Sequence, residues 1–226
     1  MVGIGFILYP TYSKKKTEKK QTKLMEELQK KIEQNKKNDK ENKDNESNDN
    51  VDKDNADNSD SKKDTYDPET VKKEVKRLEI EENENVVEQN VSDELLKKQK
   101  VIGMIEIPAI NICFPIVEGS NRANIAVAIG HMRGTSPLGG EGNCVLAGHH
   151  GGIYGKFFKD LELLQINDKV ILTDDHGKVY TYNVDESFKV KPTDVYVTDN
   201  LEGYKLTLIT CQDDGKSRLV VRCSLG

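Results

Sequence analysis

The chain has 226 residues, with 34 Lys and Arg against 39 Asp and Glu and a formal net charge of −5. This balance leaves no large basic patch, so the composition argues against a nucleic-acid partner. Between positions 33 and 65 only Val51 and Ala56 are apolar. Such a stretch buries too little surface to offset the entropy of ordering it, so a globular core has to lie elsewhere.

The first twelve residues are mostly apolar and aromatic, and the three lysines at 14–16 then begin a charged region. Residues 1–12 are too few to span a bilayer as a helix, which takes about 20 residues. They also lack the basic start and the cleavage site of a signal peptide. We interpret them as the remnant of a membrane anchor whose beginning is missing. The alternative is an apolar tail without a role.

Residues 13–90 are interpreted as a charged, largely disordered spacer that contains short helices. One helix is predicted around Leu24, Leu28 and Ile32, which recur every four residues. A second is predicted to start at Pro68, because Pro is favoured at the first helical position.

Residues 91–226 are interpreted as one folded domain that is mainly β. Apolar runs separated by Gly, Pro, Asn and Asp occupy residues 103–107, 112–117, 126–130, 143–147, 169–172, 178–184, 204–211 and 217–223. Residues 154–164 carry the one helical pattern of this half, and residues 188–203 form a long connection. Eight short strands with one or two short helices predict a closed or nearly closed antiparallel β-barrel.

Three residues whose side chains could take part in catalysis are predicted at strand ends. Cys211 ends the run Thr-Leu-Ile-Thr-Cys, His149 follows Val-Leu-Ala-Gly, and Arg218 begins Arg-Leu-Val-Val. A thiol with a pKa of about 8.5 needs help to react at neutral pH. An imidazole can supply that help, and a guanidinium can stabilise an oxyanion. The trio predicts nucleophilic thiol chemistry, although a buried structural Cys211 is the alternative.

Several residues compete for these roles. His150 adjoins His149, but alternation along a strand would point the two to opposite sides. His131 also ends an apolar run, and we interpret it as structural. His176 lies in a predicted turn. Arg222 shares a strand face with Arg218, so only the motif distinguishes them. The three other cysteines, at 113, 144 and 223, show no spacing typical of a disulfide framework or a zinc site and are interpreted as core thiols.

The motifs around Cys211, Arg218 and His149 resemble the signature of sortases, the cysteine transpeptidases of Gram-positive cell surfaces. The resemblance extends through Ile-Gly-Met-Ile-Glu-Ile-Pro at 102–108 and covers about residues 101–226. It implies an eight-stranded sortase-like barrel, an N-terminal membrane anchor and an active site on the extracytoplasmic face of the cell membrane.

The resemblance also implies a reaction. Sortases cleave an LPXTG-like sorting signal after Thr, hold a thioacyl-enzyme and pass the acyl group to an amine. Cys211 would be the nucleophile, His149 the general acid and base, and Arg218 the oxyanion-stabilising residue. Thr210 matches a position that contacts substrate. The amine would belong to a peptidoglycan precursor such as lipid II. No cofactor and no metal ion is expected.

The sequence leaves two points open, the class of sortase and whether the barrel is catalytic. The short Cys211 to Arg218 connection, without an obvious inhibitory lid, resembles class A and class D sortases more than the pilin-polymerising class C. A pilin-polymerising sortase is nevertheless an alternative, and so is a non-catalytic, surface-tethered binding module that keeps the barrel without the reaction.

Overall fold

A computed structural model describes residues 5–45, 66–83, 99–150, 157–211 and 216–226. Within them, eight strands close into a barrel in the order β1-β2-β3-β4-β7-β8-β6-β5. The strands are β1 Val101–Ile107, β2 Ile112–Glu118, β3 Ile129–His131, β4 Gly142–Ala147, β5 Lys169–Asp174, β6 Val179–Val190, β7 Tyr204–Cys211 and β8 Arg218–Leu225. The predicted eight-stranded barrel is therefore confirmed.

The barrel is not purely antiparallel, which corrects the expectation from the strand pattern. Strands β2 and β3 are parallel, and so are β4 and β7. Apolar periodicity shows which residues form strands but not which strands become neighbours. Each parallel pair requires the chain to cross over from one strand to the other. The pairing of β4 with β7 also helps to form the candidate site described below.

Among the described residues, two long helices precede the barrel, α1 Gly5–Asn45 and α2 Pro68–Asn83, and a four-residue helix, α3 Arg122–Ile125, follows β2. The first is one helix of 41 residues where the sequence predicted a short one. The second begins at Pro68, as the sequence predicted. No helix in the described part of the chain combines the length and apolarity that crossing a bilayer requires.

Three expectations within the barrel domain need correction. Residues 126–128 precede β3 rather than forming part of a strand, because the turn that follows helix α3 occupies them. The helical pattern at 154–164 yields a short 3-10 helix, Lys159–Leu163, and residues 154–156 lie outside the described ranges. Strand β6 runs on to Val190, so the long connection begins only after it and contains the 3-10 helix Val195–Thr198.

Alternating residues of the strands face either the barrel interior or an apolar cluster on its outside. Leu206 and Leu208 of β7 belong to the interior core, whereas Ile209 belongs to the outside cluster. The outside cluster, called the outer cluster below, comprises Val71, Val75, Met132, Val145, Val190, Val197, Ile209 and Val220. It joins α2 to the sheet formed by β4, β7, β8 and β6.

Helix α1 packs on a different part of the barrel. Leu24 and Leu28 lie in a third apolar cluster with residues of β1, β2 and the turn after α3. Lys31 Nζ donates to the Val101 carbonyl at 2.9 Å and to Asp175 at 3.2 Å. The residues that predicted a helix therefore also attach that helix to the barrel.

Candidate active site

Cys211 and Arg218 face each other across neighbouring strands. They form the last pair in the antiparallel register of β7 and β8. Directly opposite residues of such a pair have Cβ atoms about 4.5–5.5 Å apart. Residues 212–215, which join the two strands, lie outside the described ranges. The register alone thus sets a guanidinium beside a thiol at one end of the sheet.

His149 reaches the same end of the sheet from β4. The parallel register pairs Ala147 with Ile209, and the amide of Gly148 continues it by donating to the Ile209 carbonyl at 3.1 Å. Extended by two residues, this register sets position 149 level with position 211. Two strand registers therefore direct the three residues predicted from separate motifs to the same end of the sheet.

Gly148 explains why the motif has a glycine before its histidine. A Cβ at this position would lie 2.7 Å from the Phe158 ring and 2.8 Å from Ile129. The His149 carbonyl also accepts a hydrogen bond from the Phe158 amide at 2.8 Å. The absence of a side chain at Gly148 lets this aromatic segment close over β4, and the backbone contacts then hold His149 in place.

Alternation along the strands separates Thr210 from this group. Cys211 follows Ile209 on the outer side of β7, whereas Thr210 follows Leu208 on the interior side. Thr210 is 2% exposed, and its hydroxyl has no hydrogen-bond partner among the described residues. Its side chain is thus not brought to the group around Cys211.

Arg222 is separated from the site by its own contacts. Its guanidinium lies 3.3 Å from a Glu186 carboxylate oxygen and 5.3 Å from the centre of the Phe188 ring. It pairs in register with Thr207, four residues before Cys211. The structure therefore distinguishes the two arginines that share one strand face, which the spacing along the sequence left equivalent.

His131 is buried in a polar cluster with Ser136, Thr135 and Glu118. Its Nε2 lies 2.9 Å from the Ser136 carbonyl and 3.3 Å from Thr135 Oγ1. Its Nδ1 lies 3.5 Å from Glu118 Oε2, a distance typical of a charge pair rather than of a good hydrogen bond. These contacts agree with a structural residue.

Burial by itself lowers the pKa of His131, but the side chains of Cys144 and Glu118 outweigh it and raise the pKa to about 10. Burial likewise raises the pKa of Glu118, and His131 together with Arg133 holds that pKa below its ordinary value. Both shifts favour the charged form of the group concerned. The remaining histidine rivals differ in exposure: His176 is exposed beside Asp175, and His150 is half-buried.

One buried residue that sequence reasoning missed organises the long connection before β7. Asn143, on β4, donates to the carbonyls of Val197 at 3.3 Å and Asp199 at 2.9 Å. It also accepts from Thr207 Oγ1 at 2.7 Å. These bonds attach residues 197–199 to the two strands that carry His149 and Cys211. A polar residue inside an apolar run was the available signal.

The other cysteines lie apart from Cys211. Cys144 and Cys223 are buried in the core and Cys113 is exposed on β2; all four thiols are free. Burial raises the pKa of Cys223 strongly and that of Cys113 as well. Across the described ranges, no three His, Cys, Asp or Glu side chains form a group suited to a metal ion.

A closed barrel that brings a thiol, an imidazole and a guanidinium to one sheet end defines a candidate cysteine enzyme. The family model described as the sortase domain matches residues 105–226 of this chain. This chain belongs to the sortase family. The family predicted from the motifs is thereby confirmed.

The comparisons also identify similar individual proteins. Sortase A of Streptococcus agalactiae is 39% identical over 55% of this chain and 53% of its own length. Sortase A of Listeria monocytogenes is 34% identical over 50% of each chain. The solved Listeria structure superposes with a TM-score of 0.51 at 32% identity, covering 56% of this chain and 87% of that one. The chain spans about half the length of the curated relatives it matches.

Proposed function

We propose that the chain is a cysteine transpeptidase that cleaves an LPXTG-like sorting signal after Thr and transfers the acyl group to an amine. The observation that supports this most is the shared register, which pairs Cys211 with Arg218 and continues β4 to His149 beside them. Membership of the sortase family supports the same reaction.

In the proposed reaction, the Cys211 thiolate attacks the carbonyl carbon of the Thr residue in the signal. Arg218, a residue that is only 8% exposed, donates to the oxyanion that forms, because its guanidinium is always charged. His149 gives a proton to the leaving amine as the tetrahedral intermediate collapses to a thioester. A second amine then attacks the thioester, His149 accepts its proton, and the Cys211 thiolate leaves.

Partners and location follow from the same proposal. The acyl donor is a surface protein with an LPXTG-like signal, and the acceptor is a peptidoglycan precursor amine of the lipid II kind. Residues 1–12 act as part of a membrane anchor, residues 13–90 as a spacer, and residues 91–226 as the catalytic domain at the outer face of the membrane. Any contact between Thr210 and substrate would come from its backbone, since its side chain faces the interior.

The first test compares two cysteine variants with an LPXTG-type peptide and an added amine such as triglycine. Cys211→Ala removes the nucleophile, so cleavage and transfer should both fall to background while the barrel stays folded. Cys113→Ala is the matched control, because it removes an exposed thiol on β2 and should keep wild-type rates. Retained turnover in Cys211→Ala would contradict the mechanism.

The added amine distinguishes transfer of the acyl group from hydrolysis of the peptide. Mass spectrometry of the products should show the peptide joined to triglycine, whereas hydrolysis alone would indicate a protease. A folded wild-type protein that binds the peptide without cleaving it would favour the alternative of a non-catalytic binding module. Preference for a lysine side chain over triglycine would instead favour a pilin-polymerising enzyme.

A further inference from the structure

The ring of Phe157 lies beside the imidazole of His149. The two ring centres are 6.5 Å apart, and the ring planes are tilted by 53°. Aromatic pairs prefer ring centres about 4.5–7 Å apart in offset or inclined arrangements, so this pair has a favourable geometry. Phe157 is fully buried. The histidine of the candidate site therefore packs on a buried aromatic residue that follows it along the chain.

Phe157 is itself supported by a second aromatic residue. The ring centre of Phe114, on β2, lies 5.1 Å from that of Phe157, and the two planes are tilted by 41°. Phe157 belongs to the interior core together with Leu161, and the half-buried Phe114 packs against the same core. Because close-packed core side chains occupy well-defined rotamers, the Phe157 ring presents a fixed surface to His149.

Backbone hydrogen bonds locate His149 but do not set the direction of its ring. The Phe158 amide donates to the His149 carbonyl at 2.8 Å, and the amide of the preceding Gly148 donates to the Ile209 carbonyl at 3.1 Å. Neither bond restrains the side-chain torsion angles, and the χ2 angle of a histidine has only a broad, two-fold preference. A general acid has to hold one ring nitrogen within hydrogen-bond reach of the leaving group. Packing against a fixed ring can select that orientation.

We infer that Phe157 is a positioning residue for His149, whose imidazole it holds, with Phe114 behind it, in the orientation that delivers a proton to the leaving amine. This inference rests on the proposed function. Phe157 acts through His149 and takes no part in the chemistry itself. A misplacement of about 1 Å can slow a reaction about 10²-fold, so loss of the ring should slow the step that His149 assists. Substrate binding should change little, because the fully buried Phe157 presents no surface to a peptide.

The first test compares Phe157→Leu with Phe158→Leu in the full chain, using the LPXTG-type peptide and triglycine. Phe158 is the matched control, because it is also fully buried and its ring packs against Gly148. Phe157→Leu should lower kcat about tenfold and leave KM unchanged within about twofold, whereas Phe158→Leu should lower kcat less than about threefold. Equal losses of kcat would overturn the inference, because loosening of the whole segment would then explain both.

A second substrate isolates the proton transfer. In a thioester analogue of the peptide, the scissile amide is replaced by an aryl thioester, whose thiolate leaves without needing a proton. In Phe157→Leu, release of this thiolate in the first turnover should slow less than about twofold, whereas first-turnover cleavage of the amide should slow about tenfold. Equal slowing of the two substrates would contradict the inference and indicate general damage to the site.

A third readout does not depend on catalysis. Nuclear magnetic resonance signals of the imidazole C–H protons, assigned to His149 through the variant His149→Gln, respond to a neighbouring aromatic ring because ring currents shift nearby nuclei. At one fixed pH, these signals should move further in Phe157→Leu than in Phe158→Leu, and unmoved signals in Phe157→Leu would exclude the positioning role. If the wild-type protein neither cleaves nor transfers the peptide, the proposed function fails, and the same signals still decide whether Phe157 orients His149.

Discussion

At the scale of single residues, the candidate site comprises one position in each of two strands, β7 and β8, and one position just beyond the end of a third, β4. Cys211 and Arg218 are set opposite each other by the β7–β8 register, and His149 is added by the β4–β7 register. The side-chain types alone do not distinguish the members of this group from nearby rivals. The contacts of each residue distinguish them. Substitutions of the two arginines and of two histidines test these distinctions.

Replacing Arg218 with Lys should lower kcat/KM strongly. A lysine keeps the charge but loses the planar set of donors that an oxyanion can use. Loss of an oxyanion donor reduces kcat by about 10²–10³. Arg222→Lys is the matched control on the same strand face, and it should change kcat/KM less than about threefold, since Arg222 pairs with the partly exposed Glu186. Equal effects of the two substitutions would refute the assignment of Arg218.

Replacing His131 with Gln should flatten the dependence of barrel stability on pH. The His131 pKa is raised to about 10, so its stabilising contribution is complete below the unfolded value of about 6.5. That contribution is lost as the pH rises through the folded value. Urea titrations between about pH 7 and pH 10 should therefore show a smaller loss of unfolding free energy in His131→Gln than in the wild type.

His176→Gln provides the comparison for the pH experiment, because His176 is an exposed histidine in the β5–β6 turn. It should follow the wild-type stability profile throughout. A His131→Gln profile parallel to that of the wild type would show that the imidazole is not charged in the fold.

At the scale of elements, the connection before β7 is held in place by one asparagine on β4. Asn143 is fully buried and satisfies two carbonyls of the connection and one hydroxyl of β7. Because buried polar groups are costly to leave without partners, this side chain determines where the 3-10 helix Val195–Thr198 lies. Tyr66, just before α2, interacts with Asp199 and Asn200 of the same connection.

Asn143→Ala should destabilise the barrel domain by about 1–3 kcal/mol, since it leaves two carbonyls and the Thr207 hydroxyl without this partner. Thr207→Val removes only one of these bonds at similar volume, so its effect should be smaller. Urea denaturation with an unchanged m-value would measure both. A change below about 0.5 kcal/mol in Asn143→Ala would mean that water replaces the asparagine.

At the scale of the whole molecule, the barrel carries one helix on each of two surfaces. Helix α2 packs on the sheet of β4, β7, β8 and β6, and α1 packs over β1 and β2. The Lys31 and Asn35 side chains bond α1 to Asp175 in the β5–β6 turn. Helix α1 of the charged N-terminal region is therefore attached to the barrel by both apolar and polar contacts.

Leu28→Ala should release α1 while leaving the barrel folded. Leu28 is 1% exposed, and truncating a buried leucine costs about 2–5 kcal/mol. Hydrogen exchange should show faster exchange in α1 with unchanged protection in β4, β7 and β8. Gln29→Ala, an exposed neighbour, is the control and should keep the wild-type pattern. Equal loss of protection in the helix and the strands would mean that α1 and the barrel unfold as one unit.

The sequence by itself determined the strand count, the start of α2 at Pro68, and the motifs of Cys211, His149 and Arg218. These follow from alternation, from the fixed φ of proline and from short-range residue patterns, which are local properties. The family followed from the same motifs, since they occur together in one order along the chain.

Only the tertiary structure decided which strands are neighbours. The parallel pairing of β4 with β7 joins Ala147 to Ile209 across 62 positions, and no local pattern reports such a register. The tertiary structure also decides what packs on the outer side of β7, where Val71 and Val75 lie in one apolar cluster with Ile209. A narrow apolar stripe predicts that a helix packs on something, but its partner is set by the shape and bonding of surfaces that the whole chain builds.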